Sequence, residues 1–153
     1  MTDYEKLLDK AASRKIKVRE VPMILHDGLT NGKVICIRST IPTEAEKADV
    51  LAEEIAHTEL TVGDILDQSV TENRKQERKA RLRAYDMRIG LNGIVRAFQA
   101  GCKSISEFSE YLHTGESFFI EAVECYRNVY GESVLINGFR IQFDPNFDVF
   151  RIE

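Results

Sequence analysis

Two carboxylates and an imidazole lie within about one helical turn in residues 51–57, which read Leu-Ala-Glu-Glu-Ile-Ala-His. Side chains four residues apart share one face of an α-helix, so Glu53 and His57 could bind one ion, and Glu54 borders the same side. Helices of the form His-Glu-x-x-His use this spacing for two metal ligands and a general base. Here Glu53 replaces the first histidine. The spacing therefore indicates an altered metal-site helix, and the alternative is a solvated acidic face.

A further carboxylate, Glu77, follows His57 in a second segment with helical spacing, residues 73–89. One ridge of that helix carries Glu77 together with Ala80, Ala84 and Met87. Because alanine lets a neighbouring helix approach closely, we expect Glu77 to point across at Glu53 and His57. The alternative for Glu77 is an ion pair with an arginine on its own helix, Arg81 or Arg74.

The two helices are separated by residues 61–70, where Gly63 and several polar residues predict a loop or a frayed helix end. This loop could line a cleft beside the motif. Its Asp64 and Asp67 are alternative ligands, although turn residues of this type more often cap or bend a loop.

The elements ahead of the motif predict one helix and a small sheet. Residues 3–12 have apolar side chains at helical spacing, whereas residues 15–21 alternate between polar and apolar, as a half-buried strand does. Asn31-Gly32 predicts a hairpin with a type I′ turn, and the apolar run 33–38 follows it as a strand.

The motif helix is expected to begin just after Pro42, where Thr43 and Glu46 could form a capping box. Its apolar stripe comprises Ala45, Ala48, Leu51, Ala52 and Ile55. Glu53 and His57 flank this stripe, so both candidate ligands are expected at the edge of the buried face.

Glu77-Arg-Lys-Ala80, 20 residues after His57, is the Glu-x-x-Ala pattern that supplies the third ligand in gluzincin-type metallopeptidases. With both motifs present, the sequence resembles the ImmA/IrrE family of metallopeptidases, in particular its short phage and mobile-element members. The resemblance covers residues 45–57, the run Thr-Val-Gly-Asp-Ile-Leu-Asp-Gln at 61–68, and Asn-Arg-Lys-Gln-Glu-Arg at 73–78, continuing to Tyr85.

The resemblance implies that His57 and Glu77 are metal ligands and that Glu54 is the catalytic general base. Ligation by Glu53 is inferred from its position in the motif. The implied fold is an α+β zincin-like domain with a small N-terminal sheet, the motif helix, a third-ligand helix and a C-terminal helical part. We expect residues 1–90 to form the metallopeptidase core, and residues 91–153 to form a helical segment with a terminal hairpin packed on the same unit.

The implied function is endoproteolysis of a helix-turn-helix repressor encoded by a phage or mobile element. The alternative is a catalytically silent antirepressor that binds the repressor without cutting it, and Glu53 is the feature that supports this alternative. One histidine and two glutamates leave a divalent ion neutral, so it should acidify bound water less than a site with two histidines would. Zinc is the expected metal, with manganese or iron as alternatives because carboxylate-rich sites accept them readily.

The C-terminal part contains two predicted helices that together resemble a helix-turn-helix. The first begins near Ser104, and the second covers residues 116–130. The second helix carries Glu116, Glu121 and Glu124, which DNA phosphates would repel, so we expect a packing or protein-docking role and no direct DNA binding. Salt-dependent DNA affinity would indicate a DNA-binding regulator instead.

Length and composition predict one cytoplasmic globular protein. The 153 residues carry a net charge of −4, which gives no general attraction to nucleic acid or anionic membranes. The N-terminus is polar, and no apolar run approaches the length of a membrane span. The three cysteines are far apart in the sequence and are expected to be reduced thiols.

Overall fold

The computed structural model describes residues 1–60 and 70–152, and in the second range it describes side chains from residue 74 onward. These ranges contain six helices and six strands, which confirms the predicted α+β class. The chain divides into two compact units, Met1–Ala84 and Tyr85–Glu153, whereas the sequence placed the division at residue 90. None of the described helices combines the length and hydropathy that crossing a membrane requires.

In the N-terminal unit, α1 (Asp3–Ser13) precedes β1 (Lys17–Val21), β2 (Gly28–Thr30), β3 (Val34–Arg38) and α2 (Glu44–Leu60). The predicted first helix, first strand and motif helix are thereby confirmed. β3 is the central strand, with β1 parallel to it on one side and β2 antiparallel on the other. α2 packs on β2 and β3, and α1 packs on α2.

The Asn31-Gly32 hairpin is confirmed, but the predicted type I′ turn is wrong. Residues 31–33 connect the strands, and only Gly32 of the predicted turn pair has a positive φ, +93°. The Asn31 side chain explains the difference, because its Oδ1 accepts hydrogen bonds from the Lys33 and Val34 amides, both at 2.9 Å. This side-chain turn replaces the backbone turn that Asn-Gly usually forms.

α2 begins as predicted, since the Thr43 hydroxyl accepts a hydrogen bond from the Glu46 amide at 3.1 Å. Its buried face comprises Ala48, Asp49, Leu51, Ala52, Ile55 and Ala56, while Ala45 is only half-buried. Against this face lie Ile35 and Ile37 of β3, both fully buried. Burial of this apolar stripe is the main contact that orients α2 on the sheet.

α3 (Val70–Arg88) corresponds to the helix predicted at 73–89, but it begins three residues earlier and ends one residue earlier, and it crosses the division between the two units. The C-terminal unit continues with α4 (Gly90–Gln99), which the sequence analysis did not predict. Its Asn and Gly residues lower helix propensity, but Gly93 has a packing role. A Cβ at Gly93 would lie 3.3 Å from Leu112 Cδ2, so glycine permits this close approach.

The predicted helix pair is present as α5 (Ile105–Tyr111) and α6 (Glu116–Tyr130), followed by β4 (Ser133–Ile136), β5 (Phe139–Gln142) and β6 (Asp148–Arg151). These three strands form an antiparallel meander. Asn137 and Gly138 join β4 to β5 with φ values of +51° and +83°, as a type I′ turn requires. The unit has its own aromatic core, which includes Phe108, Phe119, Tyr126 and Phe143.

Candidate metal centre

His57 and Glu77 face each other across α2 and α3. His57 Nε2 lies 3.6 Å from Glu77 Oε2, and the two side chains are 25% and 53% exposed. Two ligands that each lie about 2.1 Å from a tetrahedral zinc ion are about 3.4 Å apart, so this separation fits a shared divalent cation. The predicted pair of ligands is therefore brought together by the fold.

Glu54 is half-buried one turn before His57, on the part of α2 that borders the sheet. Burial, followed by the negative charges of Glu53 and Glu77, raises the pKa of its carboxyl to about 7. The charges of Glu53 and Glu77 are thus close enough to repel that of Glu54. A divalent cation between them would relieve this repulsion, which makes the donor set suitable for a metal.

The third ligand is less well defined than the pair formed by His57 and Glu77. In the described part of the chain, no three His, Cys, Asp or Glu side chains are already grouped closely enough to hold an ion. Glu53 is half-buried and acts on Glu54 through its charge, and its role as a ligand stays a prediction. The alternative ligands Asp64 and Asp67, and the loop that carries them, lie outside the described residues.

β2 approaches Glu54 unusually closely through Gly28, a residue that the sequence analysis did not single out. A Cβ at this position would lie 2.7 Å from Val50 Cγ1, 2.9 Å from Glu54 Cγ and 3.0 Å from Glu54 Oε1. Only glycine lets the strand pass at this distance. Of the two edges of β2, one pairs with β3, and the other pairs with no strand in the described part of the sheet.

Glu59, two residues after His57, was also missed because the last turn of a charged helix usually faces solvent. Its side chain is only 9% exposed. It forms ion pairs with Lys10 of α1, with Arg14 directly after α1, and with Arg83 of α3. Its partners are distant in the sequence, so no local pattern indicated this role.

Gly28→Ala is expected to lower the free energy of unfolding by about 1–3 kcal/mol, because the new methyl group overlaps Val50 and Glu54. Urea denaturation would measure the loss. Leu29→Ala is the matched control, since Leu29 is the next residue of the same strand and is exposed. Equal stability of Gly28→Ala and the wild type would contradict the close approach of β2 to α2.

The metal-free protein should lose stability relative to Glu54→Gln as the pH rises from about 5 to 8. The folded state holds the Glu54 proton up to a pKa of about 7, whereas the unfolded carboxyl ionises near 4.5. This contribution to stability is therefore complete below pH 4.5 and is lost as the pH rises through 7. After allowance for solvent screening, the relative change is on the order of 1–2 kcal/mol.

Denaturation in EDTA at several pH values would test this dependence. Glu121→Gln is the control, because Glu121 is exposed on α6 and its removal should leave the pH dependence of the wild type unchanged. If the free energies of unfolding of Glu54→Gln and the wild type change in parallel with pH, burial and the neighbouring carboxylates do not raise the pKa of Glu54.

In comparisons with known proteins, the chain matches no protein-family model, no curated protein and no solved structure. The resemblance to ImmA/IrrE metallopeptidases therefore rests on the motif residues alone, and the function is inferred from the geometry around His57 and Glu77.

Proposed function

We propose that this chain is a zincin-like metallopeptidase of the ImmA/IrrE type, with a helix-turn-helix repressor of a phage or mobile element as its substrate. The observation that carries the proposal is the 3.6 Å approach of His57 Nε2 to Glu77 Oε2. These residues come from the two motifs that the resemblance pairs. The identity of the substrate rests on the resemblance alone.

His57 and Glu77 would hold the metal, with Glu53 as the third protein ligand. A bound divalent ion, zinc or alternatively manganese or iron, would supply a Lewis acid at this point. A carboxylate and an imidazole at this separation match the ligand chemistry of zinc in hydrolases. The repulsion of the Glu54 carboxylate by Glu53 and Glu77 gives a further reason for a cation to bind here.

Glu54 would act as the general base and then as the general acid. One of its carboxylate oxygens takes a proton from water as the water oxygen attacks the peptide carbonyl carbon. The same carboxyl then donates that proton to the leaving nitrogen as the carbon–nitrogen bond breaks. Burial is the largest cause of the raised pKa of this carboxyl, and a bound cation would leave that burial in place, which favours proton transfer to and from Glu54 near neutral pH.

The unpaired edge of β2 offers a way to hold the substrate beside Glu54. An extended peptide can pair with an open strand edge through backbone hydrogen bonds. Gly28 keeps this strand within contact distance of the Glu54 side chain. A substrate strand added to β2 would therefore run close to the proposed base, which favours cleavage within an extended segment of the target.

The alternative is a catalytically silent antirepressor that binds the repressor without cleaving it. Glu53 favours this alternative, because its carboxylate stands where the fuller motif has a histidine. With one imidazole and two carboxylates as ligands, the metal would activate water less strongly than in a site with two histidines. Metal content and cleavage separate the two functions.

Purified wild-type protein is expected to contain about one metal ion per chain, and His57→Ala and Glu77→Ala should each lose it, because three protein ligands are the usual minimum for a hydrolytic zinc site. Elemental mass spectrometry would measure the content. His26→Ala and Glu121→Ala are matched controls, since both residues are exposed and lie outside the site. Absence of metal from the wild type, even after incubation with zinc or manganese, would favour the silent antirepressor.

Glu54→Gln should reduce cleavage of a co-expressed helix-turn-helix repressor by at least about 100-fold, because loss of a general base typically costs this much. Metal content and repressor binding should remain. Electrophoresis of the repressor would report cleavage, and co-purification would report binding. Undiminished cleavage by Glu54→Gln would contradict the assignment of Glu54, and binding without cleavage by the metal-loaded wild type would support the silent antirepressor.

A further inference from the structure

Glu59 joins three helices through one buried carboxylate. Its Oε1 faces α1, where Lys10 Nζ lies 3.7 Å away and Arg14 forms an ion pair with the same oxygen. Its Oε2 instead accepts a hydrogen bond from Arg83 Nε of α3. The two carboxylate oxygens of Glu59 thus link α2 to its neighbours by separate contacts, one on the α1 side and one with α3.

Arg83 and Glu77 hold α3 at two points against the last turns of α2. Glu77 faces His57, and Arg83 pairs with Glu59. Six residues of α-helix span about 9 Å along the axis, so the two contacts fix the direction of α3 as well as its position. Ala80, midway between them, is buried.

We propose that Glu59 and Arg83 are positioning residues for the metal centre, in which their ion pair holds α3 across α2 so that Glu77 faces His57. This inference rests on the proposed metal site. Glu59 and Arg83 pair with each other, and in this inference they act through the placement of α3. The contact of Glu59 with Arg14 stabilises α1 in the same way but has no part in placing Glu77.

Because three cations surround Glu59, its contact with Arg83 of α3 can be removed separately from its contacts on the α1 side. Burial, followed by the charges of Arg14 and Arg83, lowers the pKa of Lys10, as expected where three cations surround one carboxylate. Loss of Arg83 leaves Glu59 with two cationic partners, so its buried charge stays compensated. Arg83 is also 52% exposed, which favours folding of its variants.

The test is the zinc dissociation constant, measured by competition with a chromophoric chelator. Arg83→Gln is expected to weaken zinc binding about 10-fold, the lower end of what residues that orient metal ligands contribute. Arg14→Gln is the matched control, because it removes the same charge from the same carboxylate on the α1 side and should leave zinc affinity unchanged. Arg83→Lys, which keeps the charge, should recover most of the loss.

The same substitution in a Glu77→Ala background separates positioning from general destabilisation. If Arg83 acts by placing Glu77, Arg83→Gln has no further effect on the residual zinc affinity once Glu77 is absent. A purely structural role would weaken binding equally in both backgrounds. Should Arg83→Gln not fold, Arg83→Met, which keeps the length of the side chain without its charge, takes its place in both comparisons.

Equal affinities for Arg83→Gln and Arg14→Gln would overturn the inference and leave the metal centre intact. An undiminished effect of the Arg83 substitution in the Glu77→Ala background would overturn it as well. A wild-type protein that binds no zinc would overturn the proposed metal centre, and the inference with it.

Discussion

Burial of one face of α2 against β2 and β3 is the contact on which the candidate site depends. The stripe that includes Leu51 and Ile55 must leave water, and this turns the neighbouring positions of the helix toward the edge of the sheet. Glu54 is consequently half-buried beside Gly28, and its carboxyl has an elevated pKa. The unusual acid–base property of this residue is therefore a direct result of how the helix packs.

Local sequence patterns predicted most of the secondary structure because they depend on neighbouring residues. The apolar periodicity of α2 and the limits of α6 agree with the structure, and so does the terminal hairpin. The type of the first turn was wrong because the Asn31 side chain bonds to two amides that follow it. α4 was missed because Gly93 is unfavourable in a helix but is needed for contact with Leu112.

The candidate site was only partly predictable, because some of its contacts join residues that are distant in the sequence. Glu53, Glu54 and His57 share one helix, so their spacing revealed them, and the resemblance added Glu77. Gly28 and Glu59 acquire their roles only from residues distant in the sequence. No periodicity within one element could have indicated that Glu59 is shared by α1 and α3, or that β2 passes against Glu54.

The connectivity of the N-terminal sheet also has a consequence for folding. β2 and β3 are joined by only three residues, so they can pair as a local hairpin before distant contacts form. β1 precedes both strands, yet it pairs only with β3, which comes last. The edge beside Glu54 is therefore built from contiguous chain, and we expect it to assemble early, with β1 closing the opposite side of the sheet afterwards.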